Sequence, residues 1–390
     1  MSIVEYVMNK LLRSKPYIPD SDVPSIMKNL EEVIRSGMFI QGKYVSQLEK
    51  MFAEYCGTKY AIATNSGATA LEVALRATGV EGKKIIVPTQ TFVASVSAIV
   101  RSNNIPVIVD VEEDTQSLSA RIIKENLTGD VFAVMWIHMA GFITPDYYNI
   151  KKLCDEHGIL LIEDASHAVG ASIDGIKAGN LGFAGCFSLF ATKIITSGEG
   201  GIITTNDFDF AERCKVIRNH GCVRNPPPLQ SYEGLDFGVN CTYASSNYRM
   251  PELSAVVGVS QIPWIDNFVL KRNVLATAYN LYITNSKVTK PSIPNNTVMT
   301  WWQYIISLPK GTSLVERTEL CKTLLSVHGI STANAYWPPC HEQPAFLKYV
   351  DGQTYPVTDS LLKRHLALPL YVEMELEQVK FVSDVINQIV

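Results

Sequence analysis

Between residues 60 and 205 the sequence alternates short apolar runs with stretches of helical periodicity, and this alternation constrains the fold more than any other feature. Several of the runs are nearly continuous in Val, Ile and Leu, which is typical of strands that are buried on both faces. We predict seven strands, at residues 60–64, 84–88, 105–110, 131–137, 158–164, 185–189 and 201–205. Because strands that alternate with helices build parallel sheets covered on both faces, we expect an α/β fold around a mostly parallel seven-stranded sheet.

After residue 206 the pattern changes, which indicates a second structural unit. The elements predicted there are an extended proline-rich loop at 225–229, a helix at 250–266 that continues toward 282, a connector at 290–296, a strand at 302–308, and helices at 313–327 and 375–389. We therefore expect an N-terminal extension over residues 1–20, a large α/β domain over 21–265 and a smaller C-terminal α+β domain over 266–390.

Charge and cysteine content exclude several classes of protein. The chain carries 34 basic and 38 acidic side chains, a net charge of −4, which does not suit neutralising the phosphates of a nucleic acid. No run reaches the ~18 consecutive apolar residues of a membrane span, and the N-terminus lacks the apolar core of a signal peptide. We expect no nucleic acid or membrane partner and a cytoplasmic location. The eight cysteines form no C-x-x-C pair and no zinc-like spacing, so we expect free thiols and no metal site.

A small polar turn follows the first predicted strand and opens a helix. In this turn Gly67 lets the backbone approach a ligand closely, and the N–H groups of Ala68 and Thr69 lie where the helix dipole favours an anion such as a phosphate. An ordinary N-capped helix would have the same sequence, so the turn alone leaves both interpretations open.

Two further candidates follow later strands, at the edge where open α/β sheets bind ligands. Asp164 ends the strand at 158–164 and could bond a ribose, a metal or a protonated heterocycle, or only cap the next turn. A lysine is usually a solvated surface charge. Lys193, however, lies between two apolar runs and precedes the Gly-rich turn 198–201. A desolvated lysine has a lowered pKa and becomes an amine nucleophile that can form an imine.

One cofactor would use all of these features together. In pyridoxal phosphate, the aldehyde would be held by Lys193, the pyridine nitrogen by Asp164, and the phosphate by the Gly67 turn and Ser188. The residues alone therefore suggest this cofactor as a hypothesis.

An ordered set of motifs from about residue 19 to residue 390 resembles the DegT/DnrJ/StrS family of sugar aminotransferases, which are pyridoxal-phosphate enzymes of the aspartate-aminotransferase fold. The resembling segments are Ser36-Gly-Met-Phe-Ile-Gln-Gly42, Pro88-Thr-Gln-Thr-Phe92-Val-Ala-Ser95, Glu163-Asp164-Ala-Ser-His167-Ala168, Thr192-Lys193, Gly198-Glu-Gly-Gly201, Asn247-Tyr-Arg249-Met250 and Leu368-Pro-Leu-Tyr371. Each motif is weakly specific by itself, whereas the ordered set is specific.

The resemblance implies roles for the residues around the cofactor ring. Lys193 would be the lysine that binds the cofactor aldehyde and then moves a proton as general base and acid. Asp164 would keep the pyridine nitrogen protonated, so that the ring acts as an electron sink. His167 would lie near the ring hydroxyl, and Phe92 would stack on the ring face.

The resemblance also implies how the phosphate and the substrates are held. Gly67, Ala68 and Ser188 would bind the phosphate, with Asn247 reaching the phosphate of the neighbouring subunit's cofactor, so that a homodimer builds the active sites. The residues expected near the substrates are Tyr336 and His341 in the smaller domain and, for a diphosphate or carboxylate, Arg249, Arg218 and Arg224.

Two positions depart from the family's pattern. The family commonly has Ser-Gly-Thr after the first strand, whereas Ala68 removes one hydroxyl from the expected phosphate site. Its frequent Val-His-Leu-Tyr-Gly is replaced by Ile137-His138-Met139-Ala140-Gly141, which removes a tyrosine near the site. Backbone donors remain for the phosphate, but the usual substrate contacts are in doubt.

The function implied is a transamination from an amino acid, glutamate by family habit, to a keto-sugar, most naturally a nucleotide-linked keto-deoxy-sugar. The alternatives are a sugar dehydratase of the same family, an aminotransferase for a keto-cyclitol, and a non-catalytic ligand sensor. Lys193 argues against the dehydratases that carry histidine at this position, and a sensor could have lost Lys193 or Asp164.

Overall fold

A seven-stranded sheet lies at the centre of the larger part of this computed structural model, which describes residues 10–224, 239–350 and 352–390. Its strands are β1 (Tyr60–Thr64), β2 (Lys84–Pro88), β3 (Ile105–Val109), β4 (Val131–Ile137), β5 (Leu160–Asp164), β6 (Ala184–Ser188) and β7 (Gly201–Thr205). Their order across the sheet is β1-β7-β6-β5-β4-β2-β3. β7 runs antiparallel to both neighbours and the other six are parallel, so the predicted mostly parallel sheet is confirmed.

Helices cover this sheet and build most of the C-terminal unit. They are α1 (Val23–Ser36), α2 (Lys43–Cys56), α3 (Gly67–Ala77), α4 (Val93–Arg101), α5 (Ala120–Glu125), α6 (Tyr147–His157), α7 (Phe208–Arg218), α8 (Glu252–Gln261), α9 (Ile265–Tyr282), α10 (Leu314–His328), α11 (Pro356–Arg364) and α12 (Leu376–Ile389). The short antiparallel strand pairs outside the central sheet are Ser172–Ile173 with Ile176–Lys177 and with Thr297–Val298, Cys222–Arg224 with Val239–Cys241, and Tyr304–Ser307 with His365–Leu368.

Alternate residues of the strands enter two different cores. Ala61 and Ala63 of β1 pack in the core on one face of the sheet, while Ile62 between them packs in the core on the other face. This is the two-residue periodicity of a strand buried on both sides, and it explains why the apolar runs predict the sheet well.

A third core belongs to the C-terminal unit and includes Tyr279, Tyr304, Leu368 and Ile386. The segment from Cys340 to Tyr355 instead packs against the core of the large sheet. Residues in the predicted C-terminal domain, 266–390, therefore contribute to both units. The predicted proline loop at 225–229 lies outside the described residues.

Among the described residues, the helical stretch Glu252–Tyr282 is long and apolar enough to cross a membrane by length and composition. A 3-10 turn, Ile262–Trp264, divides it into α8 and α9. α9 carries the buried Arg272, which donates hydrogen bonds to the carbonyls of Trp301 and Leu370. These contacts are those of a helix within a folded core, since Arg272 bonds other parts of the chain.

The first turn of α2 is capped from a distant part of the sequence. Glu252 is almost fully buried and accepts hydrogen bonds from the backbone N–H groups of Gly42, Tyr44 and Val45 at 2.8–3.0 Å. A carboxylate at this place satisfies helix donors that have no intrahelical partner. Helix α2 can be predicted from the glycines on either side of it, Gly42 and Gly57, whereas its cap by Glu252 forms only in the folded tertiary structure.

Candidate active site

The loops that follow β1, β2, β5 and β6 lie at one edge of the sheet. These strands are parallel to one another, so their carboxyl ends meet at the same edge. The structure therefore brings the Gly67 turn, Phe92, Asp164 and Lys193 to one side of the molecule. This placement follows from strand direction alone, before any side-chain contact is considered.

The turn after β1 is shaped by a capping box and by a glycine without space for a side chain. Ser66 accepts a hydrogen bond from the N–H of Thr69 at 3.2 Å, and the hydroxyl of Thr69 accepts one from the N–H of Ser66 at 3.1 Å. A Cβ on Gly67 would lie only 2.7 Å from the Cβ of Ser188. Gly67 is therefore needed for the close approach of the turn to β6.

The capping box changes which donors of this turn are free. The N–H of Thr69, expected from the sequence to be available to an anion, is used by Ser66, and its hydroxyl donates to Asn65 at 2.7 Å. The N–H groups of Gly67 and Ala68 remain in the first helical turn, where no intrahelical carbonyl reaches them. Because Ala68 is exposed, these two donors face a place that an anion can reach.

Asp164 is buried at the end of β5 and held in a fixed orientation. Its Oδ2 accepts a hydrogen bond from the hydroxyl of Ser95 at 2.7 Å, and its Oδ1 accepts from the N–H of Ser166 at 3.2 Å. The hydroxyls of Ser95 and Thr91 are 2.8 Å apart. The carboxylate is thus positioned by Ser95 in the first turn of α4 as well as by the backbone that follows its own strand.

Lys193 has the environment of a reactive amine. Burial lowers its pKa from 10.5 to about 8, the nearby charge of Asp164 opposes this shift, and that of Arg13 adds to it. Its Nζ lies 4.2 Å from the centre of the Trp302 ring. Because a neutral amine is the nucleophilic form, a pKa of about 8 makes Lys193 far more reactive near neutral pH than an ordinary lysine.

Aromatic side chains line the space beside Lys193. The ring of His167 stacks on Trp302, with centroids 3.8 Å apart and planes at 7°. Tyr336 bonds Nε2 of His167 through its hydroxyl, and its ring centroid lies 5.5 Å from that of Phe92. Phe92 is 54% exposed, which is unusual for a phenylalanine beside a buried cluster and leaves one ring face free to stack on a planar ligand.

His167 is uncharged in this cluster. Burial lowers its pKa well below 6.5, and the neighbouring charge of Lys193 and the nearby His138 act in the same direction. Burial raises the pKa of Tyr336 well above 10, with the charge of Asp164 adding to the shift. Tyr336 also has a left-handed backbone, φ 61°, which is uncommon outside glycine.

The loop with Asn247 and Arg249 lies next to the Gly67 turn. Asn65 donates to the carbonyl of Asn247 at 3.3 Å, and the side chain of Asn247 is exposed. Arg249 donates from Nη1 to Asn219 at 2.5 Å, and its Nε is buried without a partner among the described residues. Within one chain, Asn247 is therefore close to the candidate anion site.

Two of the residues expected near the substrates already form hydrogen bonds with other protein groups. Arg218 is buried and bonds the carboxylate of Glu49 and the carbonyl of Ala63, so its guanidinium is not available to a diphosphate. His341 has Nδ1 2.8 Å from the hydroxyl of Thr89 and Nε2 3.2 Å from Asp359, which leaves neither nitrogen for a substrate. The side chain of Arg224 lies outside the described residues.

His341 also belongs to a group of possible metal ligands among the described residues, together with Glu342 and Asp359. Within this group the Nε2 of His341 lies 3.2 Å from Asp359, while its Nδ1 lies 2.8 Å from the hydroxyl of Thr89. The eight cysteines are free, as predicted.

Sequence reasoning did not identify Trp302 or Ser95 as site residues. Trp302 lies two residues before the strand Tyr304–Ser307, and its Nε1 donates to the carbonyl of Thr192 at 2.9 Å, next to Lys193. Ser95 lies in the first turn of α4, 69 positions before Asp164. Neither has a local pattern that signals its role, because both meet the site through tertiary contacts.

The fold and this edge of the sheet define an α/β protein with a half-buried lysine amine close to a carboxylate and to a group of aromatic side chains. Residues 20–387 match the model of the DegT/DnrJ/EryC1/StrS aminotransferase family, and the chain belongs to that family. It is therefore an aminotransferase, as the sequence motifs predicted.

Known proteins similar to the chain agree with this membership. The chain is 33% identical over 372 residues to a pleiotropic regulatory protein of Geobacillus stearothermophilus, covering 94% of each chain. It is 30% identical to dTDP-3-amino-3,6-dideoxy-alpha-D-galactopyranose transaminase of Aneurinibacillus thermoaerophilus, covering 93% of this chain and 94% of that protein. The solved structure of Helicobacter pylori PseC, an aminotransferase involved in the biosynthesis of pseudoaminic acid, superposes with a TM-score of 0.86 at 22% identity, covering 96% and 97% of the two chains. At that identity the superposition confirms the fold.

Proposed function

We propose that the protein transfers the amino group of an amino acid, L-glutamate by resemblance to the family, to a nucleotide-linked keto-deoxy-sugar, with pyridoxal 5′-phosphate as cofactor. The observation that carries this proposal is the position of the Lys193 amine at the carboxyl edge of the sheet, 4.2 Å from the centre of the Trp302 ring and near enough to Asp164 to be affected by its charge. The similarity to a transaminase named for a dTDP-linked amino sugar supports the substrate class.

The residues present suit this cofactor in size and chemistry. The backbone at Gly67 and Ala68 and the hydroxyl of Ser188 offer donors for a phosphate, and the turn and Ser188 can lie this close together because Gly67 has no Cβ. The free face of Phe92 suits an aromatic ring, and the buried carboxylate of Asp164 suits a protonated ring nitrogen. When bound, pyridoxal phosphate supplies an electron sink that makes the proton on the substrate's amino-bearing carbon removable.

The chain's own residues would then bind, orient and move the proton. Lys193 removes the proton as general base and returns it as general acid, for which a pKa of about 8 is well matched to neutral pH. Asp164 holds the positive charge on the ring nitrogen, and Ser95 holds Asp164 in place. Neutral His167, fixed by Tyr336 and stacked on Trp302, offers a hydrogen bond to the ring hydroxyl without adding a charge.

The pH dependence of Lys193 can be measured without the cofactor. In the apoenzyme the neutral fraction of Lys193 should be about one tenth at pH 7 and half near pH 8, against about one in three thousand at pH 7 for a lysine of pKa 10.5. Competitive acetylation with trace acetic anhydride between pH 6 and 10, with Lys193 quantified by mass spectrometry, should therefore rise with pH and level off above about 8. A rate that keeps rising to pH 10 would contradict the lowered pKa.

A side chain at Gly67 should weaken cofactor binding. In Gly67→Ala the new Cβ meets Ser188 and the turn must move, which displaces the donors of the phosphate site. Loss of one hydrogen bond to a charged group is worth about 1.5–3 kcal/mol, or about 10- to 150-fold in the dissociation constant of pyridoxal phosphate. Gly129→Ala is the matched control, because a Cβ there meets no atom within 4 Å. Titration of each apoenzyme with pyridoxal phosphate measures the dissociation constant. Equal dissociation constants in the two variants would show that the Gly67 turn does not bind the cofactor.

We also propose that the enzyme works as a homodimer in the cytoplasm. Asn247 is exposed next to the Gly67 turn, and the resemblance to the family implies that this residue reaches the phosphate of the neighbouring subunit's cofactor. Sedimentation of an active preparation tests this, and a catalytically active monomer would overturn it.

The proposed reaction is tested by offering the loaded enzyme L-glutamate with keto-deoxy-sugars linked to UDP, GDP or dTDP, and with a keto-cyclitol. We expect 2-oxoglutarate together with a sugar nucleotide whose keto oxygen has been replaced by an amine, both detected by mass spectrometry. An aminated cyclitol would change the substrate class, loss of a sugar hydroxyl without amination would indicate the dehydratase, and no product with any acceptor would contradict the proposal.

A further inference from the structure

Two cysteines face each other across the antiparallel pair formed by Cys222–Arg224 and Val239–Cys241. In the register of this pair Cys222 lies directly opposite Cys241. Side chains of directly opposed residues lie on the same face of an antiparallel pair, with Cβ atoms about 4.5–5.5 Å apart. Both thiols accordingly contact one carbonyl oxygen, that of His220, with the sulfur of Cys222 at 3.7 Å and the sulfur of Cys241 at 3.4 Å.

The two cysteines occupy the kind of pair in which opposed side chains are closest. The N–H of Cys222 donates to the carbonyl of Asn219 at 3.0 Å and not across to Cys241, so the cysteines form a non-hydrogen-bonded pair. In such a pair the Cα atoms are about 4.5 Å apart, and a disulfide requires a Cα separation of about 4.4–6.8 Å. The backbone therefore permits a disulfide between Cys222 and Cys241 without separating or sliding the strands.

The turn beside the pair holds the two strands in this register. The carbonyl of Gly221 accepts hydrogen bonds from the N–H groups of Thr242 at 2.8 Å and Tyr243 at 3.3 Å. Gly221 has a left-handed backbone, φ 71°, and a Cβ there would collide with the carbonyl of Tyr243, so the turn requires glycine. The N–H of His220 donates to the carbonyl of Ser246 at 3.0 Å. These bonds keep the two thiols opposite each other in the reduced protein.

The two thiols differ in their access to solvent. Cys241 is exposed, whereas Cys222 is half-buried. Partial burial raises the pKa of Cys222, and the adjacent thiol of Cys241 adds to the shift. Because thiol–disulfide exchange requires an accessible thiolate, a disulfide in solution meets Cys241 first, and Cys222 lies where it can attack the product.

We propose that Cys222 and Cys241 form a dithiol site that a small-molecule disulfide, such as oxidised glutathione, converts reversibly into an intramolecular disulfide. This proposal does not depend on the proposed aminotransferase function. In a reducing compartment such a disulfide is transient and responds to the ratio of small thiols to small disulfides.

The reaction consists of two exchanges. The thiolate of Cys241 attacks one sulfur of oxidised glutathione, which breaks the glutathione disulfide, forms a mixed disulfide on Cys241 and releases one glutathione thiolate. The thiolate of Cys222 then attacks the Cys241 sulfur, which forms the protein disulfide and releases the second glutathione thiolate. The two protein thiols lose two protons and two electrons, and oxidised glutathione gains both to become two molecules of glutathione. Excess glutathione reverses both exchanges.

The test treats the folded, reduced protein with oxidised glutathione and follows it by mass spectrometry. We expect the wild type to lose the mass of two hydrogen atoms, to keep no glutathione, and to yield on digestion a peptide pair joined through Cys222 and Cys241. Reduced glutathione should restore the starting mass. Cys222→Ser should instead keep one glutathione on Cys241, because the second exchange has no thiol. Cys321→Ser is the matched control and should form the disulfide as the wild type does, because Cys321 lies on α10.

Three outcomes would overturn the dithiol site. A wild type that keeps glutathione on Cys241 would show that the two thiols do not meet. A disulfide that joins two chains, seen as a dimer in a non-reducing gel, would show that Cys241 pairs outside its own chain. A wild type in which neither thiol reacts would show that the site is closed to small disulfides.

Discussion

Lys193→Ala should abolish amino transfer and remove the visible absorption that a lysine-bound aldehyde cofactor produces. The substitution removes both the amine that holds the cofactor and the group that moves the proton, so we expect a loss of about 10⁴-fold or more, the upper range for a general acid–base residue. Single-turnover assays with L-glutamate measure the rate, and absorbance measures the cofactor. A Lys193→Ala variant with wild-type activity would contradict the mechanism.

The matched control for this experiment is Lys215→Ala. Lys215 is a surface lysine on α7 that pairs with Glu212 at 2.7 Å, far along the chain from the site loops. Its loss should leave rate and spectrum unchanged, since surface ion pairs contribute little to stability. Equal melting temperatures of the two variants would show that the loss in Lys193→Ala comes from chemistry and not from unfolding.

Asp164→Asn should keep the shape of the site and lose its charge. The amide oxygen can still accept from Ser95 or Ser166, but it cannot hold a proton on the ring nitrogen. We expect the single-turnover rate with L-glutamate to fall by at least about 10- to 100-fold, the scale of one hydrogen bond to a charged group. An unchanged rate would show that Asp164 does not contact the ring.

A second measurement on Asp164→Asn does not depend on turnover. The charge of Asp164 opposes the lowering of the Lys193 pKa, so its removal should move the acetylation midpoint of Lys193 below about 8. Ser95→Ala is the comparison variant, because it removes the hydroxyl donor and keeps the carboxylate. We expect it to reduce the rate less than Asp164→Asn and to leave the Lys193 midpoint nearer to 8.

The central sheet could be predicted from the sequence because the pattern that specifies each strand lies within the strand and its flanking turns. All seven strands were found within two residues of their observed ends, since each is a short apolar run with turn residues on either side. The helix Pro356–Arg364 and strand His365–Leu368 were missed. They are short, and the run His-Leu-Ala-Leu is too brief to separate from a helical segment by periodicity.

The candidate site could be predicted only where residues follow strands. Asp164 and Ser188 lie at the ends of predicted strands, and Gly67 and Lys193 lie in the loops or helix starts that follow predicted strands, so the direction of the sheet places them together. Trp302 reaches the same place through its hydrogen bond to the carbonyl of Thr192, and no local spacing in the sequence connects it to Lys193. Its part in the site is decided by the way the C-terminal unit packs against the sheet edge.

The sequence also could not distinguish free polar side chains from occupied ones. Arg218 and His341 both have the chemistry expected of substrate contacts, yet Glu49 and Asp359 respectively engage them. Thr69 has the position expected of a phosphate ligand, yet it completes the capping box with Ser66. A buried polar group is normally paired, and the identity of its partner depends on residues far away in the sequence.

The central claim, a lysine-bound aldehyde cofactor that accepts an amino group, is tested most directly by the absorbance spectrum of the purified protein before and after L-glutamate. The account predicts a band at about 410–430 nm that is replaced by one near ~330 nm as the cofactor takes the amine. No band, even after pyridoxal phosphate is supplied, would contradict the account and favour a ligand sensor. A band that no amino donor changes would contradict amino transfer and favour the dehydratase.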